Sequence, residues 1–294
     1  GYDGPAQLRG GMGSLAKAMV ASCQAAGVDI RCGEAVASID TEAGQVTGVT
    51  LTSGEQLSGK LVVSNVDPVT TFKRLVGYRN VETGVVRSVS NIRNKSGTAK
   101  LHLALNSLPN FTGLPAELTG HRLVIAPDMN YAERAFNAVK YSEYSKEPVM
   151  DISIPTVNDP DLAPDGQHVI SAIVQFAPYQ PQGGWGQHRE AFTNIVLDVL
   201  ERYAPDIRSH VVASELLTPQ DLEQEFGMTG GHWHHGELSL DQVMMMRPFH
   251  GANQYGTQVA GLYLCGAGAH PGGGVMGLAG LNAAKEIIKR GGAA

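Results

Sequence analysis

The stretch GLYLCGAGAHPGGGVMGLAGLNAAKEIIK, running from Gly261 to Lys289, decides the fold. It divides into three pieces. Gly261–Cys265 is short and apolar and reads as a strand. Gly266–Gly274 holds five glycines and a proline, the composition of a tight turn. Val275–Arg290 reads as the closing helix.

A strand that feeds a helix through such a turn lets a ligand touch bare backbone. The helix start adds unpaired N–H groups and a partial positive charge. Together these suit an electron-rich group, such as a phosphate or the pyrimidine edge of a reduced flavin. A tight strand–helix connection with no ligand fits the same residues, and composition leaves both readings open.

Working upstream, His232-Trp233-His234-His235 and His250 invite a metal reading, with Glu237 and Asp241 near in sequence. A metal site wants ligands at defined spacing, whereas adjacent histidines diverge on most backbones. The expectation is a polar loop lining a cavity, with no metal. Met244-Met245-Met246 suits an irregular apolar cavity, and ordinary core packing is preferred to a substrate wall. Pro219 opens a short helix capped by Thr218, with Leu222 and Phe226 facing inward. Arg189–Tyr203 carries one apolar stripe, Phe192, Ile195, Val196, Val199 and Leu200, and is read as a helix that Pro205 ends.

The remaining chain alternates strands and helices. Strands are expected at Val28–Cys32, Val36–Asp40, Gln45–Thr52 and Gln56–Val63, so that residues 28–64 read as a short strand, a β-meander and then an apolar strand, Leu61–Ser64, buried on both faces. Residues 70–95 read as mostly helical. Thr98–Leu105 alternates, with Leu101, Leu103 and Leu105 on one face. Further strands fall at His121–Ala126, Met150–Ile154, His168–Phe176 and His210–Leu217, and a helix at Tyr131–Tyr144. Ser14–Ala26 is a helix with Ser14 as its cap and Gly27 as its stop. It follows Gly11-Met12-Gly13-Ser14-Leu15-Ala16, which matches the dinucleotide fingerprint G-x-G-x-x-A. That fingerprint needs a buried strand before it, and residues 1–10 read as loop, so the match is taken as a plain helix start. G-x-S-x-G is absent, so no nucleophile elbow is marked.

Composition narrows the function classes. A net charge of −6 with scattered Lys and Arg disfavours nucleic-acid binding. Cys23, Cys32 and Cys265 form no CxxC pair, so a reducing compartment fits, with the cytoplasm expected, or the mitochondrion for a eukaryotic source. No run approaches the roughly 20 apolar residues of a membrane span, which leaves peripheral membrane contact open. The opening Gly1-Tyr2-Asp3-Gly4-Pro5 lacks an initiator Met, as in a processed or truncated chain.

LYLCGAGAHPGGGVMG (262–277) resembles the C-terminal flavin motif of phytoene desaturases and carotenoid isomerases. GGMGSLAKAM (10–19) and LVVSNVDP (61–68) resemble two other segments of that superfamily. ISIPTVNDPDLAPDGQHVIS (152–171) and TPQDLEQEFGMTGGHWHHGELSLDQ (218–242) resemble most nearly the subgroup called pyridine nucleotide-disulfide oxidoreductase domain-containing protein 2.

The resemblance implies an α/β (α+β) flavoprotein. Its two parts would be a partial FAD-binding, Rossmann-like domain of the glutathione-reductase type and an antiparallel-sheet substrate domain with helices. Residues 1–69 and 247–294 would belong to the FAD domain, and 70–246 to the substrate domain. Val36 would lie near the adenine, and Ser64 and Asn65 would end a strand beside the cofactor. Gly266, Ala267 and Gly268 would pass the pyrophosphate and ribityl chain. Gly274, Val275 and Met276 would offer amides to the flavin pyrimidine ring. His270 and His235 are the candidate polar groups near the flavin, though a structural role in the turn suits His270 equally. The family's opening strand, G-x-G-x-x-G and ribose-binding acid are not found here. The implied partner is therefore an N-terminal FAD-binding half, without which FAD affinity and activity are expected to be poor. The implied activity is flavin-dependent dehydrogenation, desaturation or isomerisation of an apolar small molecule. The alternative is a non-catalytic interaction module that keeps the flavoprotein fold. An intact upstream fingerprint would separate the two.

Overall fold

In a computed structural model of the chain, described over residues 8–291, the sequence periodicities become ten strands and eight α-helices among the described residues. In chain order these begin with α1 (Gly11–Ala25), a three-strand meander β1 (Val36–Glu42), β2 (Gln45–Leu51) and β3 (Gln56–Ser58), and β4 (Val62–Ser64). A π-helical turn (Thr70–Gly77) leads to α2 (Thr83–Ser90), β5 (Thr98–Leu105), β6 (Leu123–Ile125) and α3 (Met129–Lys140). Next come β7 (Val149–Ser153), α4 (Pro155–Asn158), β8 (His168–Gln175), α5 (Trp185–Glu201) and α6 (Ile207–His210). The chain closes with β9 (Val211–Leu217), α7 (Pro219–Phe226), β10 (Leu262–Leu264) and α8 (Leu278–Lys289).

Two compact units emerge. The first holds the described residues up to Ile30 together with Gly97–Asp221. Its frame is a five-stranded antiparallel sheet in the order β6-β7-β8-β5-β9. Strict alternation puts Leu101, Leu103 and Leu105 of β5 on one face, where they are fully buried with Ile170, Ala172 and Val174 of β8. The stripe of α5 covers that face through Phe192, Val196, Val199 and Leu200. Trp185 and Tyr144 stack at its edge. By contrast, α1 buries no side chain.

The second unit holds Arg31–Ser96 and the described residues from Leu222 onward. Here β1, β2 and β3 form an antiparallel meander, and β4 pairs with β10 in parallel across 200 residues of sequence, Val62 opposite Leu262 and Ser64 opposite Leu264. Its own core gathers Phe72, Val76 and Val89 with Leu262, Tyr263 and Ala283. Asp67, buried, ties the π-helical turn down. Its carboxylate accepts from the Thr70 amide at 2.9 Å and from the Thr229 hydroxyl at 2.6 Å.

Several expectations need correction. Val28–Cys32 forms no strand, because no strand among the described residues offers it a ladder, and Val28 is exposed. Gln56–Val63 splits into β3 and β4, and Val63 faces out instead of being covered on both sides. Helix α1 starts three residues before Ser14. Gly10, with φ of 79°, is its cap, and the Ser14 hydroxyl bonds back to the carbonyls of Arg9 and Gly11. The stop at Gly27 holds, in a left-handed turn at φ 81°. Thr218 caps α7 as read, exchanging hydrogen bonds with Asp221, and Leu222 is buried, but Phe226 is exposed. The last helix begins at Leu278 and not at Val275. Of the loop read over residues 1–10, the first seven residues lie outside the described residues, as do the outermost ends of the segments 1–69 and 247–294. The boundaries 69/70 and 246/247 both fall inside the second unit.

Candidate functional site

Every candidate cofactor residue read from the sequence lies in the second unit. β10 ends at Leu264, and the Cys265 amide still donates to the Ser64 carbonyl at 2.9 Å, so the parallel pair delivers both chains to one place. Ser64 is buried and its hydroxyl shares a hydrogen bond with Thr71 at 2.7 Å, so that side chain serves the fold. Asn65, the next residue, is exposed. Val36 is half-buried at the start of β1, opposite Leu51.

The glycines of the bend sort into two kinds. A Cβ at Gly266 would collide with the Asn65 carbonyl oxygen and lie 2.9 Å from its carbonyl carbon. At Gly268 it would lie 2.5 Å from Pro68 Cδ, and at Gly273 2.9 Å from Ala267 Cβ. These positions are glycine because the chain's own neighbours press on them. Gly274 differs: only the mobile tip of Met276 lies near, at 3.4 Å. The tight-connection reading accounts for Gly266, Gly268 and Gly273, whereas at Gly274 the chain's own neighbours do not require glycine by crowding.

The backbone amides carry the more informative pattern. Among the described residues, the amides of Gly266, Ala267 and Gly268 donate to nothing, and neither do those of Gly273, Gly274, Val275 and Met276. Gly273 through Met276 are also exposed. The bend ends at Gly277, with φ of 64°, where α8 begins without a side-chain cap and without an acidic residue in its first turn. The result is two groups of unpaired donors, the second running into the positive end of a helix, where an electron-rich group can be accommodated.

The histidine loop packs under this bend. Pro68, His235, Gly236, Arg247 and Gly268 line one narrow pocket. The Nδ1 atoms of His232 and His235 are buried and have no hydrogen-bond partner. Burial, with His234, Arg247 and His235 alongside, pushes the His232 pKa down to about 4. Burial also lowers those of His234 and His235, the latter against the opposing pull of Asp67. The polar cavity loop expected from sequence is thus neutral at pH 7. No group of three His, Cys, Asp or Glu residues is placed to hold a metal ion among the described residues. His270 is half-buried, and its Nδ1 lies 3.0 Å from the Met244 carbonyl, which is a turn-fixing bond.

Met244, Met245 and Met246 are exposed, so the core reading of that triplet is wrong. They sit on a short 3₁₀ turn that projects away from the core. Sequence reading also missed Arg247. It is 3% exposed, and its Nε donates to the Ala267 carbonyl at 3.0 Å. The signal was present: a lone charge between three methionines and Pro248-Phe249 has to be either exposed or bonded.

A family model for flavin containing amine oxidoreductases matches residues 1–288. Pyridine nucleotide-disulfide oxidoreductase domain-containing protein 2 of Rattus norvegicus is 37% identical over 96% of this chain and 51% of its own length. A phytoene desaturase (lycopene-forming) of a Paracoccus species is 26% identical over 92% and 52%. The crystal structure of an oxidoreductase from Methanosarcina mazei superposes with a TM-score of 0.61 at 19% identity, covering 96% of this chain and 55% of that one. The chain spans about half the length of the curated relatives it matches.

Proposed function

The chain belongs to the flavin containing amine oxidoreductase family, and on that premise we propose that it serves a flavin-dependent oxidoreductase acting on an apolar substrate. The observation that carries the proposal is the row of unpaired, exposed amides at Gly273–Met276 leading into the uncapped start of α8. When bound, FAD supplies the redox chemistry itself.

The residues of this chain bind and orient. Gly274, Val275 and Met276 hold the electron-rich pyrimidine edge through their amides, and Gly266, Ala267 and Gly268 flank the pyrophosphate and ribityl chain. The backbone at Val36 meets the adenine, and Ser64 and Asn65 close the strand end. In this reading residues 1–69 and 247–294 belong to the cofactor domain and 70–246 to the substrate domain, whose floor is the five-stranded sheet, while 70–96 and 222–246 pack in the same compact unit as the bend. His235 and His270 contribute polarity beside the ring, and neither is assigned a proton-transfer step. The phytoene desaturase named among the relatives supports a polyene or lipid-like substrate, and desaturation or isomerisation as the reaction.

The test is FAD titration of the full-length protein by flavin fluorescence. Val275→Pro and Met276→Pro each delete one amide donor. Each is expected to weaken binding about tenfold, roughly 1.4 kcal/mol, while Val275→Ala leaves it unchanged. Equal affinity in all four proteins would refute the proposal.

A further inference from the structure

Arg247 poses a problem that the fold alone does not solve. Its guanidinium is buried, and all its partners are neutral carbonyls: Ala267 through Nε at 3.0 Å, Gln242 through Nη1 at 3.2 Å, and His234 through Nη2. Among the described residues no carboxylate pairs with it. The nearby Asp67 carboxylate is already engaged by the Thr70 amide and the Thr229 hydroxyl. The surrounding histidines cannot offset the charge, since an imidazole is neutral or cationic and never anionic, and burial disfavours its cation here. Burial lowers the pKa of Arg247 as well, but a guanidinium stays protonated in proteins. A buried, unpaired cation is costly. Three carbonyls could be bridged by neutral donors, so the charge itself needs a reason.

The bend supplies one, on the flavin reading given above. In a dehydrogenation the substrate would lose one hydrogen as hydride, with its electron pair, to the flavin and the second as a proton, so the ring would gain one unit of negative charge. A fixed cation in a water-poor site favours that charge more strongly than it would in water. We propose that Arg247 is a positioning residue: it fixes the Ala267 carbonyl and sets a positive potential under the 266–276 bend, so the site holds reduced flavin more tightly than oxidised flavin.

The test is the flavin reduction potential of the full-length protein carrying FAD, equilibrated against redox dyes. Arg247→Gln removes the charge, and Arg247→Lys keeps it. The preference for reduced flavin is expected to fall at least tenfold in Arg247→Gln, about 30 mV for a two-electron couple, and to stay within about threefold in Arg247→Lys. Should Arg247→Gln fail to fold, His234→Asp decides, because it places a carboxylate beside an intact guanidinium. It is expected to lower the potential in the same direction. A purely structural Arg247 would reduce stability or FAD affinity and leave the potential of the bound flavin unmoved, which would overturn the inference. Wild-type protein that takes up no FAD would refute the flavin reading and this inference with it. Wild-type protein that takes up FAD while neither charge-altering variant shifts the potential would refute the inference alone.

Discussion

A methyl group added at Gly266 would press on the Asn65 carbonyl, which belongs to rigid backbone at the end of β4. Gly266→Ala should therefore destabilise by on the order of 3 kcal/mol. Gly280, inside α8, has nothing within 4 Å of a built Cβ, and Gly280→Ala should stabilise by about 0.5–1 kcal/mol. Urea denaturation of the two variants reads both signs, and equal effects would refute the distinction. The sequence marks both glycines alike, since the neighbour that decides lies some 200 positions away. His232 gives a second prediction. Burial holds its imidazole neutral in the fold down to about pH 4, against 6.5 for an ordinary histidine. Between these values the unfolded chain binds more protons, so stability is full above pH 6.5, falls as pH drops, and levels off below about 4. The loss should be on the order of 1–2 kcal/mol once solvent screening is allowed for. The Tm difference between wild type and His232→Gln should therefore change between pH 7 and pH 4.5. Parallel pH profiles would contradict the buried neutral histidine.

Among the elements, those with strong period were legible and those held by distant partners were not. The alternation of β5 and the stripe of α5 read correctly because each states its own buried face. Val28–Cys32 has strand propensity without a ladder, and propensity alone does not make a strand. The methionine triplet was misread because apolar composition cannot say which way a 3₁₀ turn projects. The loop after the histidines shows a different kind of restraint. Arg93 bonds Glu237, Ser239 and Asp241, and Gln242 bonds the Arg93 backbone through both ends of its amide. These partners raise the Arg93 pKa and lower that of Asp241, Arg93 bonding being the first cause for the latter. The ion pairs are solvent-exposed, so their contribution to global stability is small. Arg93→Gln should leave Tm nearly unchanged and speed amide exchange across residues 236–242. Unaltered exchange there would show that the bonds of Gln242 and of the Glu237 amide to the Arg93 backbone hold the loop without the guanidinium.

At the scale of the molecule, two separate apolar clusters stand behind two compact units. The 69/70 boundary that the resemblance implies falls inside the second unit, because β4 and the π-helical turn share one core that only the β4–β10 pairing brings together. The chain provides a direct way to read each core. It has two tryptophans, Trp185 in the first unit and Trp233 in the second. Trp185 is buried against Phe192 and Tyr144, and Trp233 lies edge-on to His234. In a Trp233→Phe background, Leu103→Ala empties a fully buried position and should lower the stability reported by Trp185 by about 2–5 kcal/mol. In a Trp185→Phe background, Phe72→Ala should lower that reported by Trp233 by about 3–5 kcal/mol. Phe72→Ala also loses the edge-to-face contact with Phe249, so its truncation should be the larger. A Leu103→Ala protein whose Trp185 transition does not move would mean that the five-stranded sheet is not the core of its unit. That result would also remove the floor on which the proposed substrate domain rests.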